Sequence, residues 1–317
     1  MKVERISAIP LDKDTAKRYS SDIVKERFDR TPEKVKYLGG GSFGRAFGVR
    51  LKDGSKFVIK FLRAKDMLAK EVNDLKLLAD NCSVKIPKVL FVRNADKAIP
   101  VDCYAMEYID GKNALMALGM LIESRRKRLD FADRVTTALH EIHQHKNDRF
   151  GDTMSPDCRT WVDYYKPFAK AVLEKAEELY KTDSLSEKII VAMRAAWSEF
   201  DTIFSEEVKD ACLIHGDLNI ANIMVGKRYE VSGFIDPLNS MYADREYDLF
   251  QFDNLTGKRF YLRETYIRKY GASKFCDIKC AFYGLWNEVY CYIKSGVLVN
   301  IIMNPLVKNM QKRLSEL

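Results

Sequence analysis

Leu213-Ile214-His215-Gly216-Asp217-Leu218-Asn219-Ile220-Ala221-Asn222-Ile223-Met224-Val225 places an acid and an amide five residues apart in a loop between two apolar runs. Downstream, Gly233-Phe234-Ile235-Asp236-Pro237 ends another apolar run in an acid. Residues 211–215, 223–225 and 231–235 read as short strands, joined by turns at 216–222 and 226–230. A single Asp or Asn in a turn needs no chemistry, because both types favour turns. Three on one strand–loop–strand frame make a set suited to phosphoryl transfer. One carboxylate orients a hydroxyl and accepts its proton. One carboxylate and one amide oxygen hold Mg²⁺, a hard cation that takes oxygen ligands. Asp217, Asn222 and Asp236 fit these roles in that order.

Upstream, Gly39-Gly40-Gly41-Ser42-Phe43-Gly44 contains G-x-G-x-x-G at Gly39, Gly41 and Gly44. Dinucleotide-binding folds share this pattern but need a helix after it. Here a strand over 35–38 precedes the loop, a second covers about 45–51, Asp53-Gly54 signals a hairpin, and a third strand covers 56–62. Strand, glycine loop, strand is the unit that covers nucleotide phosphates in kinases, with Ser42 in the covering loop. Arg45 after Gly44, in place of lysine, excludes a P-loop. Lys60 sits inside the apolar third strand, where a lysine calls for a partner. A helix over about 64–80 offers Glu71 beside the stripe Leu68, Val72, Leu75 and Ala79. The pair would aim the ammonium at the α/β-phosphates. Met106-Glu107-Tyr108-Ile109-Asp110-Gly111 reads as a hinge. Backbone groups of Glu107 and Ile109 would meet an adenine edge, and Met106 would pack behind the ring.

The catalytic stretch resembles that of the aminoglycoside phosphotransferase and fructosamine kinase superfamily: H-G-D-x-x-x-x-N, a strand, then an I-D-P type ending. Tyr242-Ala243-Asp244-Arg245-Glu246-Tyr247-Asp248-Leu249 resembles the family segment ending in D-L, which implies that Asp248 braces the catalytic loop. Leu139-His140-Glu141-Ile142-His143 with Phe150-Gly151, and Trp161-Val162-Asp163-Tyr164-Tyr165, resemble fructosamine kinases in particular. The likeness spans roughly 35–250. It implies a protein-kinase-like two-lobed α+β fold, with a β-rich nucleotide-binding lobe over 1–110 and a helical lobe over 111–317 that carries the catalytic loop and acceptor site. It also implies ATP and Mg²⁺ as cofactors, transfer to a hydroxyl of a small molecule, and a supporting role for His215. The acceptor is read as an aminoglycoside or sugar-amine, with a fructosamine-type ketoamine as the alternative. A nucleotide-binding pseudokinase is the reading from another class. Gly216 in place of the H-R-D arginine, Pro237 after Asp236, and the lack of A-P-E set the chain apart from protein kinases.

Helices are expected at 13–29, 113–122, 130–145, 159–181, 185–204, 244–254, 258–270 and 274–294, with further strands near 89–93 and 102–109. The balance of 47% hydrophobic and 31% charged residues excludes a disordered chain. No apolar run is long enough for a membrane span or a signal peptide. Seven cysteines without framework spacing read as reduced thiols of a cytoplasmic protein, and Cys276 with Cys280 as helix packing. The net charge of +8 is dispersed. Arg125-Arg126-Lys127-Arg128 reads as a solvated helix face, and no nucleic-acid or membrane partner is expected. A monomer or homodimer is expected. His140, His143 and His145 lack the H-E-x-x-H spacing and read as a helix-end cluster without metal. Asp157, Asp163, Asp253, Glu264 and Glu288 are candidate acidic walls for a cationic acceptor. Trp161, Tyr164, Tyr165 and Trp286 suit either sugar stacking or the core.

Overall fold

The computed structural model describes residues 3–317. Residues 3–11 lead without regular structure into α1 (Lys13–Phe28), which Asp12 caps by accepting the Thr15 N–H at 2.8 Å. An antiparallel sheet follows, with β1 (Lys34–Gly39), β2 (Gly44–Arg50), β3 (Lys56–Leu62), β4 (Val89–Arg93) and β5 (Cys103–Glu107) in the order β1-β2-β3-β5-β4. The β2–β3 turn forms at Asp53-Gly54 as expected. Gly54 takes φ +86, and Asp53 accepts the Ser55 N–H at 3.0 Å. Strand alternation sorts the two faces of β3. Phe57, Ile59 and Phe61 join Ile23 and Val24 of α1 in one core. Lys60 and Leu62 therefore point to the opposite face, where α2 (Leu68–Asp80) buries Leu75 and Leu78.

The chain leaves β5 through 108–111 and enters β6 (Lys112–Asn113). Two 3-10 turns follow, Ala114–Met116 and Leu118–Ile122, where a helix over 113–122 was expected. Ala114, Ala117 and Met120 are the buried positions, and a spacing of three suits a 3-10 turn better than an α-helix. Then come α3 (Arg125–Gln144), β7 (Lys146–Asn147), β8 (Gly151–Asp152), α4 (Trp161–Lys181), α5 (Glu187–Ser198) and α6 (Phe200–Ile203). Helix α3 starts five residues before the expected 130, because Ser124 caps it through the Lys127 N–H. The single helix expected over 185–204 is divided at Glu199.

The catalytic stretch forms β9 (Ala211–Leu213), β10 (Ile223–Val225) and β11 (Val231–Phe234), and is followed by β12 (Met241–Ala243). Two small sheets result, β11-β10-β6 and β7-β9-β12-β8. The expected helix over 244–254 is a short α7 (Glu246–Leu249) continued by the 3-10 turn Phe250–Asp253. Tyr261, left-handed at φ +58, separates the 3-10 turn Gly257–Phe260 from α8 (Leu262–Tyr270), so 258–270 is not continuous. Helix α9 (Cys276–Ser295) buries 13 of its 20 residues and is the central helix of this lobe. Helix α10 (Asn300–Leu314), which was not expected, packs Met303, Val307 and Met310 inward. A β-rich lobe and a mainly helical lobe make a mixed, two-lobed architecture.

Candidate active site

Lys60 stands where the two lobes meet. Its ammonium lies 2.8 Å from Glu71 Oε2 on α2 and 2.8 Å from Asp236 Oδ1 beyond β11. The Tyr104 hydroxyl donates to the same Glu71 oxygen at 2.8 Å. Burial opposes the charge on Lys60, but Asp236, Tyr104 and Glu71 together overcome it and raise its pKa well above the ordinary lysine value. Lys60 in turn holds the Asp236 carboxyl below the usual range, although that carboxylate opens into the cleft with 56% of its side chain exposed. Asp236 takes a left-handed backbone at φ +56, which Asp tolerates better than bulkier residues do.

Asp217 lies across the cleft floor. Asn219 donates to its Oδ1 at 2.9 Å, and Asn222 donates to its Oδ2 at 3.0 Å and its carbonyl at 2.7 Å. The amide oxygen of Asn222 accepts nothing among the described residues. Burial, with the Asp236 charge second, pushes Asp217 up to about 8. A cation beside these two acids would relieve their mutual repulsion. No three His, Cys, Asp or Glu side chains converge as a metal site among the described residues. Asp236 and Asn222 are instead a two-donor oxygen set. Such a set fits Mg²⁺, which commonly draws its remaining ligands from phosphates and water.

The loop that carries Asp217 is tied from behind. Asp248, fully buried at the end of α7, accepts the N–H of His215 at 2.8 Å and of Gly216 at 2.7 Å. His143 Nε2 meets the same carboxylate at 3.1 Å, and its Nδ1 meets the Tyr266 hydroxyl at 2.6 Å. Gly216 takes φ +80, and a Cβ there would sit 2.3 Å from the Leu238 carbonyl oxygen. His215 is buried. Desolvation lowers it to about 4, so it is neutral, and its Nδ1 accepts the Asp217 N–H at 3.3 Å. Ser240 donates to the His215 carbonyl at 2.9 Å.

Sequence reasoning missed three supports. His143 braces Asp248 from mid-core, whereas its neighbours had suggested only a helix-end cluster. Lys70 bridges α2 to the helical lobe, donating to Asp74 at 2.9 Å and to the Ser240 carbonyl at 2.8 Å, with Asp152 at 3.2 Å. Thr153 closes that network by donating to Asp74. Lys279 lies buried between Asp244 at 2.5 Å and Glu246 at 2.8 Å, which fixes the segment leading to Asp248. Apart from Lys70–Asp74, one turn apart on α2, these contacts pair residues far apart in the chain, which local spacing cannot show.

Met106 and Glu107 end β5, which lies between β3 and β4, and 108–111 lead out of the sheet. The Glu107 N–H bonds the Lys88 carbonyl at 3.0 Å, so that donor belongs to the sheet. The Ile109 N–H has no protein partner among the described residues. In the glycine loop, Arg45 donates to the carbonyls of Gly41 at 2.8 Å and Gly44 at 2.9 Å. A Cβ on Gly44 would crowd Lys60 Cε at 3.3 Å, which places the loop base directly over Lys60.

Of the suggested acceptor walls, Asp253 pairs with Arg263 at 2.6 Å, and Asp157, Asp163 and Glu264 are exposed. Glu288 on α9 is half-buried with no ion pair or hydrogen bond among the described residues, and burial raises it to about 7. One turn on, burial pushes the Cys291 thiol up to about 12, with the Glu288 and Asp217 charges adding to the rise. Trp161, Tyr165 and Trp286 are core. Trp161 donates to Tyr283 at 2.7 Å and Trp286 to the Ala169 carbonyl at 2.9 Å. Two cavities elsewhere, of about 690 and 430 Å³, hold none of Lys60, Asp217, Asn222 and Asp236. Chemistry, not volume, singles out this cleft.

A β-rich lobe over a helical lobe, with these residues at the junction, is the protein-kinase-like class of fold. The profile of the phosphotransferase enzyme family, APH, matches residues 34–273. The chain belongs to that family. No curated protein sequence matches it. Among solved structures, it is similar to a protein assigned as a fructosamine-3-kinase from Thermobifida fusca YX-ER1, with 19% identity, 93% of this chain and 98% of that one covered, and a TM-score of 0.65. A mutant of aminoglycoside 2'-phosphotransferase-IIIa in complex with GDP gives 16%, 95%, 98% and 0.70 in the same order. A thermostable mutant of aminoglycoside phosphotransferase APH(4)-Ia, in a ternary complex with ADP and hygromycin B, gives 15%, 93%, 97% and 0.67. No helix among the described residues is long and apolar enough to cross a membrane.

Proposed function

We propose that this protein transfers the γ-phosphate of ATP to a hydroxyl of a small, amine-bearing acceptor. The observation that carries the reading is the meeting of Lys60, Asp217, Asn222 and Asp236 in one cleft, with Lys60–Asp236 at 2.8 Å and Asn222–Asp217 at 3.0 Å. Lys60, steadied by Glu71, holds the α/β-phosphates. The glycine loop with Ser42 covers them, and the Ile109 N–H with the Glu107 carbonyl meets the adenine edge beside Met106. Asn222 and Asp236 would hold Mg²⁺, which when bound would supply positive charge to the transferring phosphates. Asp217 orients the acceptor hydroxyl and takes its proton as the new O–P bond forms and the bond to the β-phosphate oxygen breaks, releasing ADP. Asp217 acts as a carboxylate, a form favoured by Asn219 and Asn222, which donate to its two oxygens. Asp248 and His215 hold the loop and do not touch the reactants.

Glu288 favours an amine-bearing acceptor, since a partly buried carboxyl without a partner gains a charge-assisted contact from an ammonium group. Among the structural relatives, the APH(4)-Ia complex contains hygromycin B, which supports an aminoglycoside or sugar-amine class. A binding-only pseudokinase would have no use for Asp217. The test is a Mg²⁺-dependent titration of nucleotide into wild-type protein and Asp217→Asn. The reading expects similar affinity in both and turnover in the wild type alone. Loss of binding in a folded Asp217→Asn would contradict the role assigned to Asp217.

A further inference from the structure

Residues 3–11 lie outside the family match, which begins at residue 34. They cross from one lobe to the other. Val3 is buried in the large core that runs through the helical lobe and under α2, and Leu11 is buried in the core between α1 and the sheet. Between them, the Ile6 N–H donates to the Lys294 carbonyl near the end of α9 at 3.0 Å. Arg5 packs over Gly296, which closes α9 at φ +72; a Cβ there would stand 2.6 Å from the guanidinium. The Ile9 N–H donates to the Arg63 carbonyl at 2.7 Å, and Arg63 Nε donates back to the Ile9 carbonyl at 2.9 Å.

Arg63 also reaches the glycine loop. Its guanidinium donates to the Ser42 carbonyl at 3.2 Å, and its N–H to the Phe43 carbonyl at 2.7 Å. Lys294 sits over the Phe43 ring at 5.8 Å. The tip of the loop is therefore bound to Arg63, Arg63 to residue 9, and residue 6 to α9. The sheet register places this crossing opposite the hinge. Gly44 pairs with Leu62 at one end of β3, and Glu107 pairs with Phe57 at the other, about 17 Å away at ~3.4 Å per residue. The cleft is thus bounded by the hinge on one side and by residues 3–11 on the other.

We propose that residues 3–11 form a clasp across the mouth of the cleft and that Arg63 is the positioning residue through which the clasp holds the glycine loop down. The proposal rests on the phosphotransferase reading for its consequence, which is that nucleotide leaves only when the clasp yields. The clasp itself does not depend on that reading. Lys60, Asp217, Asn222 and Asp236 are untouched by it.

The test uses Arg63→Ala, Arg63→Lys and Ile6→Pro in the full chain. Arg63→Ala removes two side-chain hydrogen bonds and leaves the backbone ones. Ile6→Pro removes the donor to Lys294, far from the loop in sequence. Amide hydrogen exchange over 39–46 without nucleotide is the first readout, and dissociation of a fluorescent ATP analogue with Mg²⁺ is the second. At about fivefold per lost hydrogen bond, Arg63→Ala is expected to speed both by about 5–25-fold and Ile6→Pro by about fivefold. Arg63→Lys should fall between wild type and Arg63→Ala. The KM for nucleotide should rise without a fall in kcat. Unchanged loop exchange in Arg63→Ala, or exchange raised equally over the whole sheet, overturns the clasp. If the wild type binds no nucleotide, the phosphotransferase reading fails, while loop exchange still decides on the clasp.

Discussion

Replacing Asp248 by asparagine tests whether the catalytic loop is held from behind. The fully buried carboxylate accepts the backbone N–H groups of His215 and Gly216 at 2.8 and 2.7 Å and meets His143 at 3.1 Å. Asparagine has nearly the same shape but offers one acceptor oxygen and one NH₂ group. One backbone N–H then loses a charge-assisted bond of about 1.5–3 kcal/mol and faces another donor, an unsatisfied buried group costing about 1–3 kcal/mol. The expected loss is about 3–5 kcal/mol, or a fall of about 6–15 °C in melting midpoint at ~2–3 °C per kcal/mol for a chain this long. The loop should shift as well. A displacement of ~1 Å at the reacting groups costs on the order of a hundredfold in rate. Thermal unfolding and kcat would be measured side by side. Tyr266→Phe is the control: it removes only the outer bond at 2.6 Å and should cost about 1 kcal/mol with little change in kcat. An Asp248→Asn protein that melts within ~2 °C of wild type and keeps its kcat would refute the bracing argument.

Other outcomes follow from the same geometry. The Asp217 carboxyl, raised from 3.8 to about 8 in the folded protein, binds its proton more tightly folded than unfolded. Without metal or nucleotide, wild-type stability should therefore fall as pH rises from about 4 to 8, and Asp217→Asn should gain on the wild type across that window in urea titrations; a constant difference would show that Asp217 is not perturbed. Lys60→Met removes the partner of both Glu71 and Asp236, so nucleotide affinity should drop by at least about tenfold, as read by calorimetric titration. Asp236 should also titrate at a higher pH in that variant, because Lys60 is what lowers it. Gly216→Ala would force its Cβ against the Leu238 carbonyl from φ +80, so the loop must move, and kcat should fall on the order of a hundredfold with a lowered melting midpoint.

Much of this was legible in the chain because the informative groups are close in sequence. The glycine loop between two strands, the lysine in the apolar β3 and the stretch 213–225 each carry their meaning within a dozen residues. Lys60–Glu71 could be inferred because the stripe of α2 fixes which helical face turns to the sheet. The supports were not legible in the same way. Lys70 meets Ser240, His143 meets Asp248, and Lys279 meets Asp244, all through tertiary folding. The expected helix over 113–122 failed because its burial period is three, a distinction lost when any apolar repeat is taken as α-helical. Helix α10 did carry its own signal at Met303, Val307 and Met310, but Pro305 inside it weakens that signal. The crossing of residues 3–11 has no periodicity, since its bonds are made by backbone groups to distant partners.

The most direct measurement of the central claim is product analysis after incubation with ATP and Mg²⁺ against a panel of aminoglycosides, fructosamine-type ketoamines, free sugars and small amino alcohols. The account predicts ADP formation stimulated by at least one amine-bearing acceptor. A matching amount of phosphorylated acceptor should appear by mass spectrometry, with neither product formed by Asp217→Asn. ADP formed with no phosphorylated acceptor, or equal product from Asp217→Asn, would contradict it.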